Sequence, residues 1–434
     1  MRQCNRIAPM VWMVFASLQV QAQAPVVNKN ALTAQVLIEL ASKAPAHEMR
    51  NQARLLEAQS ALESARRWWI PSAAVGAQSF SRQGSSMNVA GDILLDVVAR
   101  NSQWMGELRI GGDLAQSWTA KESAGYHQEA VGWEVEAERD QRILACMTAY
   151  LAAITSAQDE ALHTASAEAW KQYEQELNWL VESGLRRRSD ALSAASERLH
   201  LESQALQLRS TREALLAELW AVLGVEKSLP LSVDWPAWTE LFTENSIALW
   251  PEKSALSARL VQAESAQKGV TRALWLPELR FSPMLNGFGA DFSSLAPTTQ
   301  WVGAMMWSIP LDRLLSGGDK GQAAAEVAFR QADVLAWKQE HEAQAGSLDR
   351  RVKLLNDALT QQKEAVSQAN EALAQTLNRE TQGLITPFER IQLERQKLRA
   401  HSMLNSLQSE LLLLEIKYAL ESGARWSSDS INPQ

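Results

Sequence analysis

LNWLVESGLRRRSDALSAASERLH (residues 177–200) and TLNRETQGLITPFERIQLERQKLRA (residues 376–400) decide the fold. Each carries a glycine-leucine pair, Gly184-Leu185 and Gly383-Leu384, inside a long run of strong helix formers. Glycine suits the non-helical geometry of a turn, so both pairs read as the tips of helical hairpins. Pro387 supports the second tip, because a proline in the first turn of a returning helix loses no hydrogen bond. Each tip glycine lies 40 residues before the glycine that ends its return arm, Gly224 or Gly423.

Outward from the tips the chain repeats itself. Trp69-Ile70-Pro71 opens the first stretch and Trp275-Leu276-Pro277 opens the second. A period of roughly 200 residues far exceeds the ~20–50 residues of a solenoid unit, so a whole structural half is duplicated. No proline occurs between Ser72 and Leu229, nor between Leu311 and Thr386. Without proline, very long helices are permitted. Lys121 to Ser183 can run as one helix of about 63 residues, ~95 Å at 1.5 Å per residue.

Apolar spacing supports coiled-coil packing of these arms. Leu348, Val352, Leu355, Leu359, Gln362, Val366, Ala369 and Leu373 alternate steps of four and three. Leu404, Leu407, Leu411, Leu414 and Tyr418 do the same after the second tip, and Leu144, Met147, Leu151 and Ile154 before the first. Leu192, Leu199 and Leu206 recur every seven residues. Alternating threes and fours define a coiled-coil seam.

Between each W-x-P element and its long helix the period changes to two. Trp104, Gly106, Leu108 and Ile110 alternate with Met105, Glu107 and Arg109. Leu279, Phe281, Pro283 and Leu285 alternate with Arg280, Ser282, Met284 and Asn286. Trp301, Gly303, Met305, Trp307 and Ile309 form another such run, and Ser72 to Phe80 a weaker one. Period two means strands, two in each half. A long loop is expected from about Gln83 to Gln103 and a shorter one near Gly287 to Thr299, with Gly287-Phe288-Gly289 as loop glycines. Four strands cannot close a barrel. If they lie in a membrane, several chains must share one barrel, because an open sheet edge in lipid leaves backbone groups unpaired. Three copies give twelve strands.

The N-terminus reads as a secretory signal. Arg2 and Arg6 precede the apolar stretch Met10 to Val20, and Ala22-Gln23-Ala24 is a cleavage site. Cleavage leaves 40 basic and 50 acidic residues, a net charge of −10. An acidic chain is a poor nucleic-acid binder. Only Cys146 remains, so no intrachain disulfide forms and a bacterial envelope suits the chain better than a disulfide-stabilised exterior. No later segment has the ~18 consecutive apolar residues of a spanning helix.

No catalytic constellation is present. The six histidines, at 47, 127, 163, 200, 341 and 401, are scattered without H-E-x-x-H spacing. One mature cysteine cannot build a cysteine-rich zinc site, and there is no G-x-S-x-G elbow or phosphate loop. No cofactor or metal is expected.

In the order and duplication of these markers the chain resembles the outer-membrane efflux protein family, the TolC-like channels of tripartite efflux pumps and type I secretion systems. Further markers are Ala31-Leu32-Thr33 opening an amphipathic segment that contains Pro45, and Ser308-Ile309-Pro310-Leu311 followed by Ser316-Gly317-Gly318. The resemblance spans about Ala31 to Gly423. It implies a fold that is mainly α with a small β part: long coiled-coil hairpins forming a periplasmic tunnel, plus four transmembrane strands per chain completing a twelve-stranded barrel in a homotrimer. The implied organisation is a signal peptide at 1–24 and a first repeat at 25–224, with strands near 72–82 and 104–115 and a hairpin near 119–224. A linker at 225–250 leads to a second repeat at 251–423, with strands near 278–287 and 299–310 and a hairpin near 319–423. The tail is 424–434.

The implied partners are a periplasmic adaptor protein, an inner-membrane pump of RND or ABC type, and outer-membrane lipid. Adaptor contact falls by motif position on Gly184, Leu185, Arg186, Gly383 and Leu384. Family gating carboxylates map to Asp190 and Glu389, each six residues past its glycine. A carboxylate ring at a narrow opening attracts cations; the same residues also suit plain helix N-termini. Arg186-Arg187-Arg188 departs from the family, and Ile385 stands where some relatives carry a latching arginine. The arginine run fits either an acidic adaptor tip or a solvated turn. Two rivals to a channel are a periplasmic adaptor and a soluble coiled-coil scaffold. An adaptor normally carries one hairpin in a compact β-rich domain, which this chain lacks.

Overall fold

The computed structural model describes residues 31–87, 92–225, 229–237, 241–242, 250–273, 275–289, 295–307, 317–380 and 386–426. The expected signal segment, the second tip from Gly383 to Ile385, and Ser308 to Leu311 lie outside the described residues.

Two sets of elements follow one another in the same order. The first is α1 (Ala34–Ser42), α2 (Pro45–Arg66), β1 (Ser72–Met87), β2 (Ile93–Asp113), α3 (Leu114–Glu182) and α4 (Arg188–Leu223). The second is α5 (Pro251–Arg272), β3 (Glu278–Gly289), β4 (Ala296–Met306), α6 (Gly318–Glu380) and α7 (Pro387–Glu421). Helices α2 and α5 have 22 residues each, and α4 and α7 have 36 and 35. The long arms α3 and α6 have 69 and 63; α3 is ~100 Å long at 1.5 Å per residue. The amphipathic segment that contains Pro45 is two helices, α1 and α2. Pro45 starts α2, because a proline ring cannot continue a helix, and α1 ends one turn earlier with the Lys43 N–H donating to Glu39 and Leu40 carbonyls.

The compact units of the chain are not the sequence repeats. One unit takes residues through Gln52, 138–249 and 343 onward; the other takes 53–137 and 250–342. Each draws on both halves.

In the first unit, α1, the middle of α3 and the ends of α4 and α7 bury Leu37, Ile38, Leu40, Ile143, Met147, Tyr150, Leu151, Ile154, Leu219 and Ile416 together. Each large side chain buried in this way contributes about 1.5–3 kcal/mol. Described residues of the stretches expected as linker and tail, among them Leu241, Phe242 and Trp426, also belong to this core. Leu32 pairs with Leu231, its N–H donating to the Pro230 carbonyl at 2.8 Å and its carbonyl accepting from Ser232 N–H at 3.0 Å. Phe242 pairs with Trp426, and their rings stack at 5.2 Å. The seam of α6 is as expected: Leu348 to Leu373 are buried or half-buried, with Val366, Ala369 and Leu373 innermost. Leu407, Leu411 and Leu414 are buried on α7, but Tyr418 is exposed and Ile416 and Ala419 take its place. On α4 the heptad leucines do not pack within the chain's own hairpin. Leu192, Leu199 and Leu206 are 60%, 55% and 65% exposed, while Ala191, Ala194 and Leu201 face the interior. Periodicity identifies an apolar face; it does not say that the face packs within its own hairpin.

The second unit contains an antiparallel sheet in the order β1-β2-β3-β4. The long loop expected at 83–103 is instead mostly strand. Gln83 pairs with Val98, Gly84 with Val97 and Met87 with Ile93, with a bulge between Gly84 and Ser86. Among the described residues this ribbon pairs with β1, and β3 joins β2 from Ser102↔Gly289 onward. Strand β2 stops at Asp113, whose Oδ1 accepts the Gln116 N–H at 2.9 Å and caps α3. Helix α3 therefore starts at Leu114, five residues before the expected start. Strand β3 extends to Gly289, so Gly287-Phe288-Gly289 are strand residues rather than a loop. Strand β4 runs from Ala296 to Met306, where it meets Glu278, the first residue of β3.

Candidate functional site

Two features concentrate the chemistry of the chain, one in each unit: the turn between α3 and α4 with its neighbours, and the two faces of the sheet.

The α3–α4 turn is built by its own backbone. Gly184 has φ +73, a left-handed conformation that favours glycine. Its N–H donates to the Val181 carbonyl at 3.0 Å, and the Leu185 N–H reaches back to Leu180 at 2.9 Å. That pair of bonds is the Schellman closure of a helix C-terminus. It leaves Leu185 projecting, 68% exposed. Helix α4 then begins without side-chain help: Arg187 occupies the N-cap and accepts no backbone N–H through its side chain. Asp190, half-buried in the first turn, donates its backbone N–H to the Arg187 carbonyl at 3.0 Å. Arginines here oppose the positive end of the helix dipole by about 0.3–1 kcal/mol, and a capping side chain worth about 1 kcal/mol is missing.

The corresponding start of α7 is built the other way. Thr386 Oγ1 accepts the Glu389 N–H at 3.4 Å, and Glu389 Oε2 accepts the Thr386 N–H at 3.1 Å. This is a reciprocal capping box with Pro387 in the first turn. Glu389 is exposed and engaged in starting its helix. Gly383 and Leu384 lie outside the described residues.

Behind these helix starts, α3, α4 and α7 pack into one cluster. Trp170, Tyr173 and Leu177 of α3 meet Ala191, Ala194 and Leu201 of α4 and Ile391 and Leu398 of α7. Trp170 and Tyr173 contact edge-to-face at 5.4 Å. The Arg390 guanidinium lies 3.9 Å from the Tyr173 ring centroid and 5.3 Å from that of Trp170, and its Nε donates to Glu394 at 3.1 Å. Burial pushes the Glu394 carboxyl above its ordinary range, with Arg390 working against that rise.

Two buried carboxylates tie α7 to its neighbours. Glu197 of α4 accepts from Arg395 Nε at 2.9 Å and Nη2 at 2.5 Å. Asp159 of α3 accepts from Ser402 Oγ at 2.8 Å and Asn405 Nδ2 at 2.7 Å. Sequence reasoning missed both, because an isolated acid in a helical run reads as solvated. Cys146 is buried, and burial pushes its thiol up to about 11, so it stays protonated and inert.

The sheet separates its side chains by face. Trp104, Leu108, Phe281, Leu285, Trp301 and Met305 lie on one face by register and alternation, and Val75 joins them, 88% exposed. The opposite face carries Glu107, which accepts from Arg109 Nε at 3.3 Å and from Arg280 Nη2 at 3.5 Å. Trp104 lies directly across from Gly287, where a Cβ would come within 2.1 Å of the indole nitrogen. Glycine is what allows that ring to lie over β3.

Among the described residues no helix is long and apolar enough to cross a membrane. Nor do three or more His, Cys, Asp or Glu side chains among them converge as a metal site.

Comparison with protein-family models and with curated proteins gives no match. Solved structures do match. The outer-membrane protein VceC of Vibrio cholerae aligns at 16% identity with TM-score 0.72, over 90% of this chain and 96% of that one. The Campylobacter jejuni CmeC outer membrane channel aligns at 11% identity with TM-score 0.75, over 91% and 89%. The open state of the Neisseria gonorrhoeae MtrE outer membrane channel aligns at 15% identity with TM-score 0.71, over 90% and 89%. Over nine-tenths of its length, the chain has the fold of these outer-membrane channels.

Proposed function

We propose that the chain is the outer-membrane exit duct of a tripartite export system. It passively conducts substrates delivered by a periplasmic adaptor and an inner-membrane pump of RND or ABC type. The observation that carries this reading is the four-stranded sheet, open at β1 and β4, with an apolar face opposite a Glu107–Arg109–Arg280 network. Where β2, β3 and β4 pair, charge falls on one face by register, which is the pattern of a barrel wall with the apolar face toward lipid and the charged face toward the lumen. Strands β3 and β4, of 12 and 11 residues, have the length needed to span an outer membrane. Open edges are not tolerated in lipid, so β4 of one copy pairs with β1 of the next. Three copies close a twelve-stranded barrel in a homotrimer.

The exposed α4 stripe of Leu192, Leu199 and Leu206 is the face assigned to a neighbouring copy, because heptad spacing is what a second helix requires. Gly184, Leu185 and Arg186, with Gly383 and Leu384, are the adaptor-contact tips. Asp190 and Glu389 are the carboxylates of the periplasmic gate. The chain performs no catalysis in this scheme and needs no cofactor.

Purified protein in a planar lipid bilayer tests the proposal. Discrete conductance steps are expected. Protein that stays in the soluble periplasmic fraction and leaves bilayers silent would instead fit a coiled-coil scaffold.

A further inference from the structure

The two helix starts of the hairpins are built to opposite specifications. Helix α7 opens with a capping box, an N1 proline and an acid in its first turn, all of which favour helix initiation. Helix α4 opens on Arg186, Arg187 and Arg188 with no capping side chain. Arg187 and Arg188 are exposed, and Leu185 projects beside them. The carboxylates nearest in sequence are the exposed Glu182 at the end of α3 and the half-buried Asp190 of α4, so the turn keeps a net positive charge on an otherwise acidic chain. Trp179, one turn back on α3, is also exposed. Local rules are broken where function demands it, and neither burial nor capping explains the exposed Arg187 and Arg188.

We propose that the α3–α4 turn docks a protein partner whose contact surface is acidic around an apolar recess. Leu185 fills the recess, and Arg187 and Arg188 pair with the surrounding carboxylates. Arginine presents a planar fork that matches a carboxylate in two parallel hydrogen bonds, which gives orientation as well as attraction. A lone projecting leucine inside a charged rim is the arrangement of an anchor surrounded by polar contacts. The rigid Schellman turn holds the leucine in place before the partner arrives, which lowers the ordering cost of binding. The inference rests on the adaptor reading above and deepens it. The basic turn selects partners by charge, and the second hairpin contributes a stable helix start rather than charge selection.

The test is photocrosslinking from position 185 of the full-length protein in its native envelope, with the crosslinked partner peptide sequenced by mass spectrometry. The expected peptide is net acidic. Arg187→Glu with Arg188→Glu should cut the crosslink yield by roughly tenfold or more, as expected for like-charge juxtaposition. Arg187→Lys with Arg188→Lys should retain most of it. Native gels of each variant report whether the assembly itself is intact. A net basic or uncharged partner peptide, a yield unchanged in the glutamate variant, or no protein partner at all would overturn the proposal. Loss of conductance or of membrane location in the unmodified protein would instead remove the channel reading, so the two failures are distinguishable.

Discussion

Arg395 of α7 clasps Glu197 of α4 through two hydrogen bonds of 2.9 and 2.5 Å, joining the return arms of the two hairpins. Glu197 has only 4% of its side chain exposed, whereas Arg395 has 42%. The pair is therefore asymmetric: removing the arginine strands a buried charge, and removing the acid frees a side chain that can reach water. Arg395→Ala is expected to cost roughly 2–4 kcal/mol of stability, Glu197→Ala less, and the double change less than the sum. Thermal unfolding of the four proteins completes the cycle. Additive losses would mean that the pair does not couple the arms.

Glu394 gives a pH dependence of defined sign. Burial raises its pKa in the folded state, so the native chain binds this proton more tightly than the unfolded chain. Stability from this site is therefore greatest below the ordinary carboxylate range and is lost as pH rises through the raised value. Glu394→Gln removes the cost of ionising a buried acid and keeps a polar partner for Arg390. The variant is expected to match or exceed the parent in melting temperature at pH 8, with the difference shrinking toward pH 4. A variant less stable at pH 8 than at pH 4, relative to the parent, would reverse the assignment.

The leucines of α4 separate two roles that look alike in sequence. Leu201 is 1% exposed, and Leu201→Ala is expected to destabilise the chain by about 2–5 kcal/mol. Leu199, two residues earlier and exposed, is assigned to the interface between copies. Leu199→Asp is expected to leave helicity intact while weakening assembly, as read by native electrophoresis and circular dichroism. Unimpaired assembly would move the stripe to another surface.

Glu389 has two roles that one substitution can separate. Glutamine also serves as the fourth residue of a capping box, so Glu389→Gln preserves the start of α7 while removing charge. In bilayer recordings the variant is expected to lose cation preference, measured as a shift in reversal potential under a salt gradient, with stability changed by less than about 0.5 kcal/mol. An unchanged reversal potential would leave Glu389 as a cap alone.

What the sequence revealed depended on whether a local signal determined the outcome. Gly184 was legible because a left-handed turn between two helices selects glycine whatever surrounds it. The α6 seam from Leu348 to Leu373 was legible because it packs as its period implies. The α4 leucines share that period and face outward, since spacing defines a face and not its partner. The ribbon from Ile93 to Asn101 was read as loop because its residues do not alternate cleanly, and its pairing with β1 is not a local signal. Glu197 and Asp159 were invisible, because the arginine, serine and asparagine that satisfy them arrive from about 200 residues away or more. Trp104 and Gly287 were each visible, but their pairing across β2 and β3 was not.

The four strands among the described residues are proposed to complete a barrel with those of other copies of the chain. Native mass spectrometry of protein extracted from the outer-membrane fraction tests this most directly. A species of three chains is expected. Protein recovered only as a monomer in the soluble fraction would contradict it.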